Sequence, residues 1–282
     1  MACLHCGDTG WKPVEVEGVQ QVVRCDCWRE ALSGKLLDDA RIPPRYRKCS
    51  FGNFVVYPNE KLQKAVVRAQ AFADAFPVVE QGLFFVGSPG IGKTHLAVAV
   101  LRAVIRRCGA RGIFRNTSEL LKEIRGTYNP MVGPTESGVL RPVIESELLV
   151  LDDIGTEKTS EWVLETLNLI VNTRYNQRRP TIFTSNYEEY PESHGESLGD
   201  KVGFRMLSRL HEMCEFLEFR GADYRYFEHS KGPPTAADLL NMYKNQPSRP
   251  RETGRRASGQ LKARFRESKS DVSWPGGKAG TS

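Results

Sequence analysis

Hydrophobic positions fall into two rhythms along the chain. From Asn59 to Phe76 they recur every three or four residues, at Leu62, Ala65, Val66, Ala69, Phe72 and Phe76. That is the spacing of a helix with one buried face, and Asn59 is placed to cap it. Short continuous apolar runs then alternate with helical patterns. Strands are predicted over 83–86, 112–115, 148–151, 181–184 and 215–219. Helices are predicted over 94–107, from a Ser118 cap to Ile124, from a Ser160 cap to about Asn176, and over 204–213. Leu148 to Leu151 lacks polar alternation, as expected of a strand covered on both faces. The order implies an α/β fold, a mostly parallel sheet with helices on both sides. Residues 126–142, rich in Gly and Pro, read as a long loop, with Tyr128 as one candidate contact to a ligand or a plain surface residue. Ahead of this pattern lie a short polar helix near 28–39 and the run Ile42-Pro43-Pro44-Arg45-Tyr46, whose prolines suggest a linker.

Composition alters this picture only at the ends. The chain has 282 residues, 40% apolar and 26% charged, ordinary for a soluble protein with one sizeable core and a small appendage. No run approaches the roughly 18 apolar residues of a membrane span, and Met1-Ala2-Cys3-Leu4-His5-Cys6 is no signal peptide, so a cytosolic (cytoplasmic) protein is expected. The net charge of +6 is carried by the last 37 residues. Residues 246–282 hold nine Lys/Arg and three Asp/Glu, leaving 31 of each sign in the body. This tail has too few apolar groups to offset its ordering entropy and is expected to be disordered. Its charge suits salt-dependent, sequence-blind contact with nucleic acid, or merely a solvated spacer.

The run Gly87-Ser88-Pro89-Gly90-Ile91-Gly92-Lys93-Thr94, between a strand and a helix, is a phosphate-binding loop. Glycines let the backbone curl around an anion, and the helix N-terminus offers free N–H groups and partial positive charge. Lys93 is expected to reach the β and γ phosphates, the Thr94 hydroxyl to ligate Mg²⁺, and His95 to stand beside them. Asp152 and Asp153 end the strand at 148–151. Asp152 is placed to hold the Mg²⁺ shell. Asp153 is placed to polarise a water for attack on the γ-phosphate, or else to cap a turn. Asn186, ending Thr184-Ser185-Asn186, can orient the same water or serve as a turn residue.

Cys3-x-x-Cys6 and Cys25-x-Cys27 supply four soft ligands suited to a closed structural Zn²⁺. A hairpin over 14–24 with a turn at Glu17-Gly18 would bring the two pairs together. His5 is either a spare ligand or simply exposed. Cys49, Cys108 and Cys214 are scattered and read as packing residues.

The phosphate loop, Leu-Leu-Val-Leu-Asp-Asp-Ile-Gly at 148–155, Thr-Ser-Asn at 184–186, Ser-Arg-Leu at 208–210 and Gly-Ala-Asp-Tyr-Arg at 221–225 occur in that order. This set, with Ile-Pro-Pro-Arg-Tyr-Arg-Lys-Cys-Ser-Phe at 42–51, resembles the AAA+ ATPases of the DnaC/DnaI helicase-loader and IstB transposition-helper group. The resemblance spans about residues 41–228. It implies that Arg209 is an arginine finger reaching a neighbouring subunit's ATP, with Arg205 a weaker candidate, and that Arg225 is the second sensor. Without it, both would read as surface arginines. It also implies a P-loop NTPase fold, a homo-oligomer when ATP is bound, contact with single-stranded DNA, and a replicative DNA helicase or a transposase as partner. The chain is thus expected to comprise a zinc module (1–40), a linker (41–58), an AAA+ domain (59–235) and a basic tail (246–282). Many AAA+ proteins carry Glu at the position of Asp153, and the shorter side chain implies slow hydrolysis. Three functions follow as expectations: a helicase loader, a transposase helper, and an ATP-binding nucleic-acid adapter that scarcely hydrolyses.

Overall fold

The computed structural model describes residues 3–16, 18–128, 135–191, 195–227 and 234–245. The basic tail, Glu17 of the expected hairpin turn, and 129–134 of the expected loop lie outside them. Strands β1 (Trp11–Val16) and β2 (Val19–Arg24) pair antiparallel, with Trp11 opposite Arg24 and Val16 opposite Val19. The Arg24 guanidinium lies 4.0 Å from the Trp11 ring and 4.5 Å from that of Trp28 on α1 (Asp26–Asp39). This cation–π sandwich fastens the hairpin to the helix.

Residues 41–58 do not form a free linker. A 3₁₀ turn spans Pro44–Tyr46, a second spans Phe51–Asn53, and Ile42, Cys49 and Tyr57 are buried. A proline at the first position of a helical turn loses no hydrogen bond and supplies the required φ. The prolines therefore start a turn where the sequence suggests an open connection.

Strands β3 (Gly82–Gly87), β4 (Gly112–Asn116), β5 (Leu148–Asp152), β6 (Thr181–Ser185) and β7 (Cys214–Phe219) form one sheet in the order β4-β5-β6-β3-β7. All four pairings are parallel. Neighbouring residues of each strand enter opposite layers. Leu83, Phe85, Val150 and Ile182 pack with α2 (Glu60–Ala75) and α3 (Lys93–Cys108). Phe84, Val86, Leu149, Leu151 and Phe183 pack with α4 (Thr117–Gly126), α5 (Glu136–Glu145), α6 (Glu161–Asn176), α7 (Leu198–Val202) and α8 (Phe204–Met213). Phe84, Phe85 and Phe183 are almost fully buried, each worth about 1.5–3 kcal/mol of transfer free energy. A last helix, α9 (Ala236–Lys244), packs through Leu239 onto the layer of α2 and α3. The chain thus has an α/β fold, a five-stranded parallel sheet with helices on both faces. Among the described residues no helix is long and apolar enough to cross a membrane.

Three expectations need correction. Residues 136–145 are helical rather than loop. Thr135 caps the helix by accepting from Gly138 N, and Val139, Leu140 and Val143 form a buried stripe, although Pro142 lies inside it. Arg174 on α6, 1% exposed, closes the other end by donating to the carbonyls of Val143, Ile144 and Ser146 at 3.0 Å. Second, Asn116 rather than Ser118 caps α4, accepting from Glu119 N at 3.2 Å. Ser118 instead donates to Glu157 at 2.6 Å. Third, Cys49 and Cys214 are buried as expected, but Cys108 is exposed, with its thiol donating to Phe76 O.

Candidate functional site

Because β6 lies between β3 and β5, the carboxyl ends of three adjacent strands face one crevice. Ligands of open parallel sheets bind at such an edge. These ends carry the phosphate loop, the Asp152-Asp153 pair and Thr184-Ser185-Asn186.

The loop has little room. Gly90 has φ 77°, and a Cβ there would lie 1.6 Å from Asp223 Oδ1; at Gly92, φ 99°, it would lie 2.8 Å from Phe54 Cε2. Both positions therefore need glycine for conformation and for clearance. Tyr224 N donates to Gly90 O at 3.0 Å, tying the loop to the Asp223-Tyr224-Arg225 turn.

Lys93 is 6% exposed, and its ammonium group donates to Gly87 O (2.7 Å), Ser88 O (2.7 Å) and Asn186 Oδ1 (2.8 Å). Burial lowers its pKa to about 8, against the opposing fields of Asp153 and Asp152. Asp152 Oδ1 accepts from the hydroxyls of Thr94 and Thr184, each at 2.8 Å. Burial raises the Asp152 pKa, and those two hydroxyls partly restrain it. Asp153 sits in the left-handed region at φ 62°. Its N–H donates to Thr184 Oγ1 at 2.8 Å, and its Oδ1 accepts from Asn186 Nδ2 at 2.6 Å. A non-glycine residue in this conformation costs on the order of 1 kcal/mol. Here Thr184 and Asn186 hold it, so strain and hydrogen bonds together aim the Asp153 carboxylate.

The crevice opens into a cavity of about 450 Å³ that also takes in Arg45, Tyr46, Phe54 and Tyr57 from the 41–58 segment. Ile91, Gly92, Thr94 and Asn186 border it, as does Arg225. Of the remaining loop residues, Ser88 is half-buried and Pro89 exposed. His95 borders the cavity, but its Nε2 is engaged by Ser50 O (3.1 Å) and Asn53 Oδ1 (3.0 Å), and its ring meets Phe54 edge-on. It anchors the 41–58 segment to α3. Arg209 is not part of the cavity; it lies on α8, and its Nη1 donates to Arg205 O at 3.1 Å. Tyr128 joins an aromatic cluster, where its hydroxyl accepts from Trp162 Nε1 at 2.8 Å and Arg125 covers the Trp162 ring. Sequence reasoning missed Thr184 as the hydroxyl shared by Asp152 and Asp153, although it stands next to the residues singled out. It also missed the 41–58 segment as a cavity wall, for which the apolar residues after the prolines are the signal.

The four N-terminal thiols converge: the sulfurs of Cys3, Cys6, Cys25 and Cys27 all lie within 4.8 Å of one another, with Cys3–Cys25 at 3.8 Å and Cys6–Cys27 at 3.3 Å. Four sulfurs about 2.3 Å from a tetrahedral Zn²⁺ stand about 3.8 Å apart, so this spacing fits zinc.

A model of the family described as IstB-like ATP binding protein matches residues 59–232. The replicative helicase loader DnaC of Escherichia coli strain K12 is 29% identical over 163 residues, covering 57% of this chain and 65% of that protein. The uncharacterized protein YdaV of the same organism is 31% identical over 176 residues, 62% of this chain and 69% of that one. A crystal structure of the DnaC helicase loader superposes with TM-score 0.56 at 34% identity, over 63% of this chain and 100% of that one. The fold is also that of DnaI, TM-score 0.52 at 22% identity over 65% of this chain and 94% of that one.

Proposed function

The chain belongs to the IstB-like ATP-binding family within the DnaC/IstB AAA+ group, and from that premise we propose that it is an ATPase that loads a replicative DNA helicase. The observation that carries the ATPase reading is the Thr94–Asp152 contact at 2.8 Å beside the Lys93 ammonium. A hydroxyl and a carboxylate at that spacing can share one magnesium shell, where the metal would draw charge from the phosphoryl oxygens. Lys93 turns from its carbonyl partners to the β and γ phosphates. Asn186, which holds both Lys93 and Asp153, is then freed on one side to position water. Asp153 accepts the proton of that water as it attacks. Its carboxylate is one methylene shorter than a glutamate, and turnover is correspondingly slow. Arg225 contacts the phosphates from within the same chain. Arg209, outside its own cavity, serves a neighbouring subunit's site, so hydrolysis depends on assembly.

The DnaC relatives support helicase loading as the purpose of this cycle. The chain spans 65% of that relative's length. The cysteine module binds Zn²⁺ and grips the helicase, and the assembled ATPase surface contacts single-stranded DNA. A pull-down from the host in ATP and Mg²⁺, read by mass spectrometry, tests the assignment. Recovery of a replicative helicase supports it, and recovery of a transposase instead overturns it in favour of the transposase-helper role. If wild type turns over ATP and Asp153→Asn does not, the reading as an ATP-binding adapter that scarcely hydrolyses fails.

A further inference from the structure

The cavity contains a cation with no role in the scheme above. Arg45 borders it, is exposed, and makes no hydrogen bond or ion pair among the described residues. Its position is nevertheless tightly set. Pro43 and Pro44 fix two φ angles at the start of its turn, and Tyr46 N donates to Pro43 O at 2.8 Å. The turn is clamped on its far side, where Arg102 donates to Cys49 O, His95 meets Ser50 O, and the Tyr46 ring lies 6.4 Å from that of Phe114. Fixing the backbone beneath an unpaired guanidinium at the mouth of a phosphate crevice meets part of the ordering cost of an anion contact in advance. The charges bordering the cavity agree. Arg45, Lys93 and Arg225 share that border with Asp152 and Asp153, and Asp223 stands behind Gly90, so three cationic side chains converge on the crevice that a polyphosphate would enter.

We propose that Arg45 is a phosphate-contacting residue supplied in cis by the 41–58 segment, and that through it bound nucleotide tightens the connection to the cysteine module. The second half follows from the backbone. Arg45 lies five residues after Ala40, which ends α1 and accepts from Phe114 N at 2.8 Å. Cys27 lies on that same helix. Nucleotide held by Arg45 thus bears on the helix that carries one of the four thiols. This inference rests on the ATP-site reading above.

The test uses the full chain with Mg²⁺, titrating ATP, ADP and adenosine into wild type, Lys93→Ala, Arg45→Ala and Arg45→Lys, with limited proteolysis of 41–58 in parallel. Arg45→Ala is expected to weaken ATP and ADP roughly tenfold, the size of one charge-assisted hydrogen bond. Adenosine binding is expected to stay unchanged, Arg45→Lys to recover part of the loss, and ATP protection of the segment to disappear in Arg45→Ala. Equal losses for adenosine and ATP would reduce Arg45 to a structural residue and overturn the proposal. So would unchanged ATP affinity in Arg45→Ala while Lys93→Ala binds none. A wild type without Mg²⁺-dependent ATP affinity would instead sink the ATP-site reading itself.

Discussion

Lys93 spends the nucleotide-free state as a buried cation, and this should be measurable as a pH slope in stability. Its pKa is about 8 in the folded protein against 10.5 for the free side chain, burial being the main cause. The unfolded chain therefore holds more protons between pH 8 and 10.5, and stability rises with pH across that window. The contribution is fully present above pH 10.5 and is lost as pH falls through 8. Between pH 7 and pH 10 the linkage amounts to about 2.5 kcal/mol. Lys93→Met removes this ionisation. It also breaks hydrogen bonds to Gly87, Ser88 and Asn186, but that cost does not vary with pH. The difference in unfolding free energy between wild type and Lys93→Met, from urea denaturation at pH 7, 8, 9 and 10 without nucleotide, isolates the ionisation, because every other titrating group cancels. The difference should shift in favour of wild type by about 2.5 kcal/mol across the series. Saturating Mg²⁺-ATP should flatten the wild-type slope, since phosphate restores the charged form. Parallel pH profiles for the two proteins would refute the claim that Lys93 is a strained, buried charge awaiting an anion.

Gly90→Ala should abolish ATP binding while the protein stays folded at 25 °C, because its Cβ would collide with Asp223 at positive φ; isothermal titration and circular dichroism read the two parts. Thr184→Val removes the hydroxyl shared by Asp152 and Asp153 at almost constant volume. It should lower the turnover number at least tenfold with little change in ATP affinity, and Thr184→Ser should restore most of it. The purified chain should carry one Zn²⁺ by elemental analysis, and Cys27→Ser or a strong chelator should remove it and open 3–27 to protease. A protein that stays protected at 3–27 without metal would mean that the Trp11–Arg24–Trp28 sandwich, not zinc, holds the module.

What could be read from the sequence divides along a physical line. Strands β3, β5 and β6 are short apolar runs buried on both faces, and their termini carry residues whose chemistry has few other uses, so Lys93, Thr94, Asp152 and Asn186 are legible before any fold is known. The helix over 136–145 was hidden because glycine and proline at 133–134, 138 and 142 mask a stripe of only three apolar residues. What stabilises that helix is Arg174, 28 residues or more away in sequence from the carbonyls it caps. The cavity wall at 41–58 was hidden for a related reason. Proline reports where a regular helix cannot continue, and it does not report whether the chain then wanders or is pinned. Only the partners Phe114, Arg102 and His95 settle that, and they come from β4 and α3, distant in sequence. Thr184 marks the limit most sharply. Its side chain has no chemistry of its own to announce, and it matters because strand order sets β6 beside β5, where one hydroxyl can donate to Asp152 and accept from Asp153. Residues that bear charge or bind metal are visible in sequence, whereas residues that aim them become visible only with the strand order. The strained φ of Asp153 belongs to the second class: it is a property that two hydrogen-bonded neighbours impose on a residue, so the aim of the carboxylate should be lost by altering Thr184 or Asn186 as readily as by altering Asp153 itself.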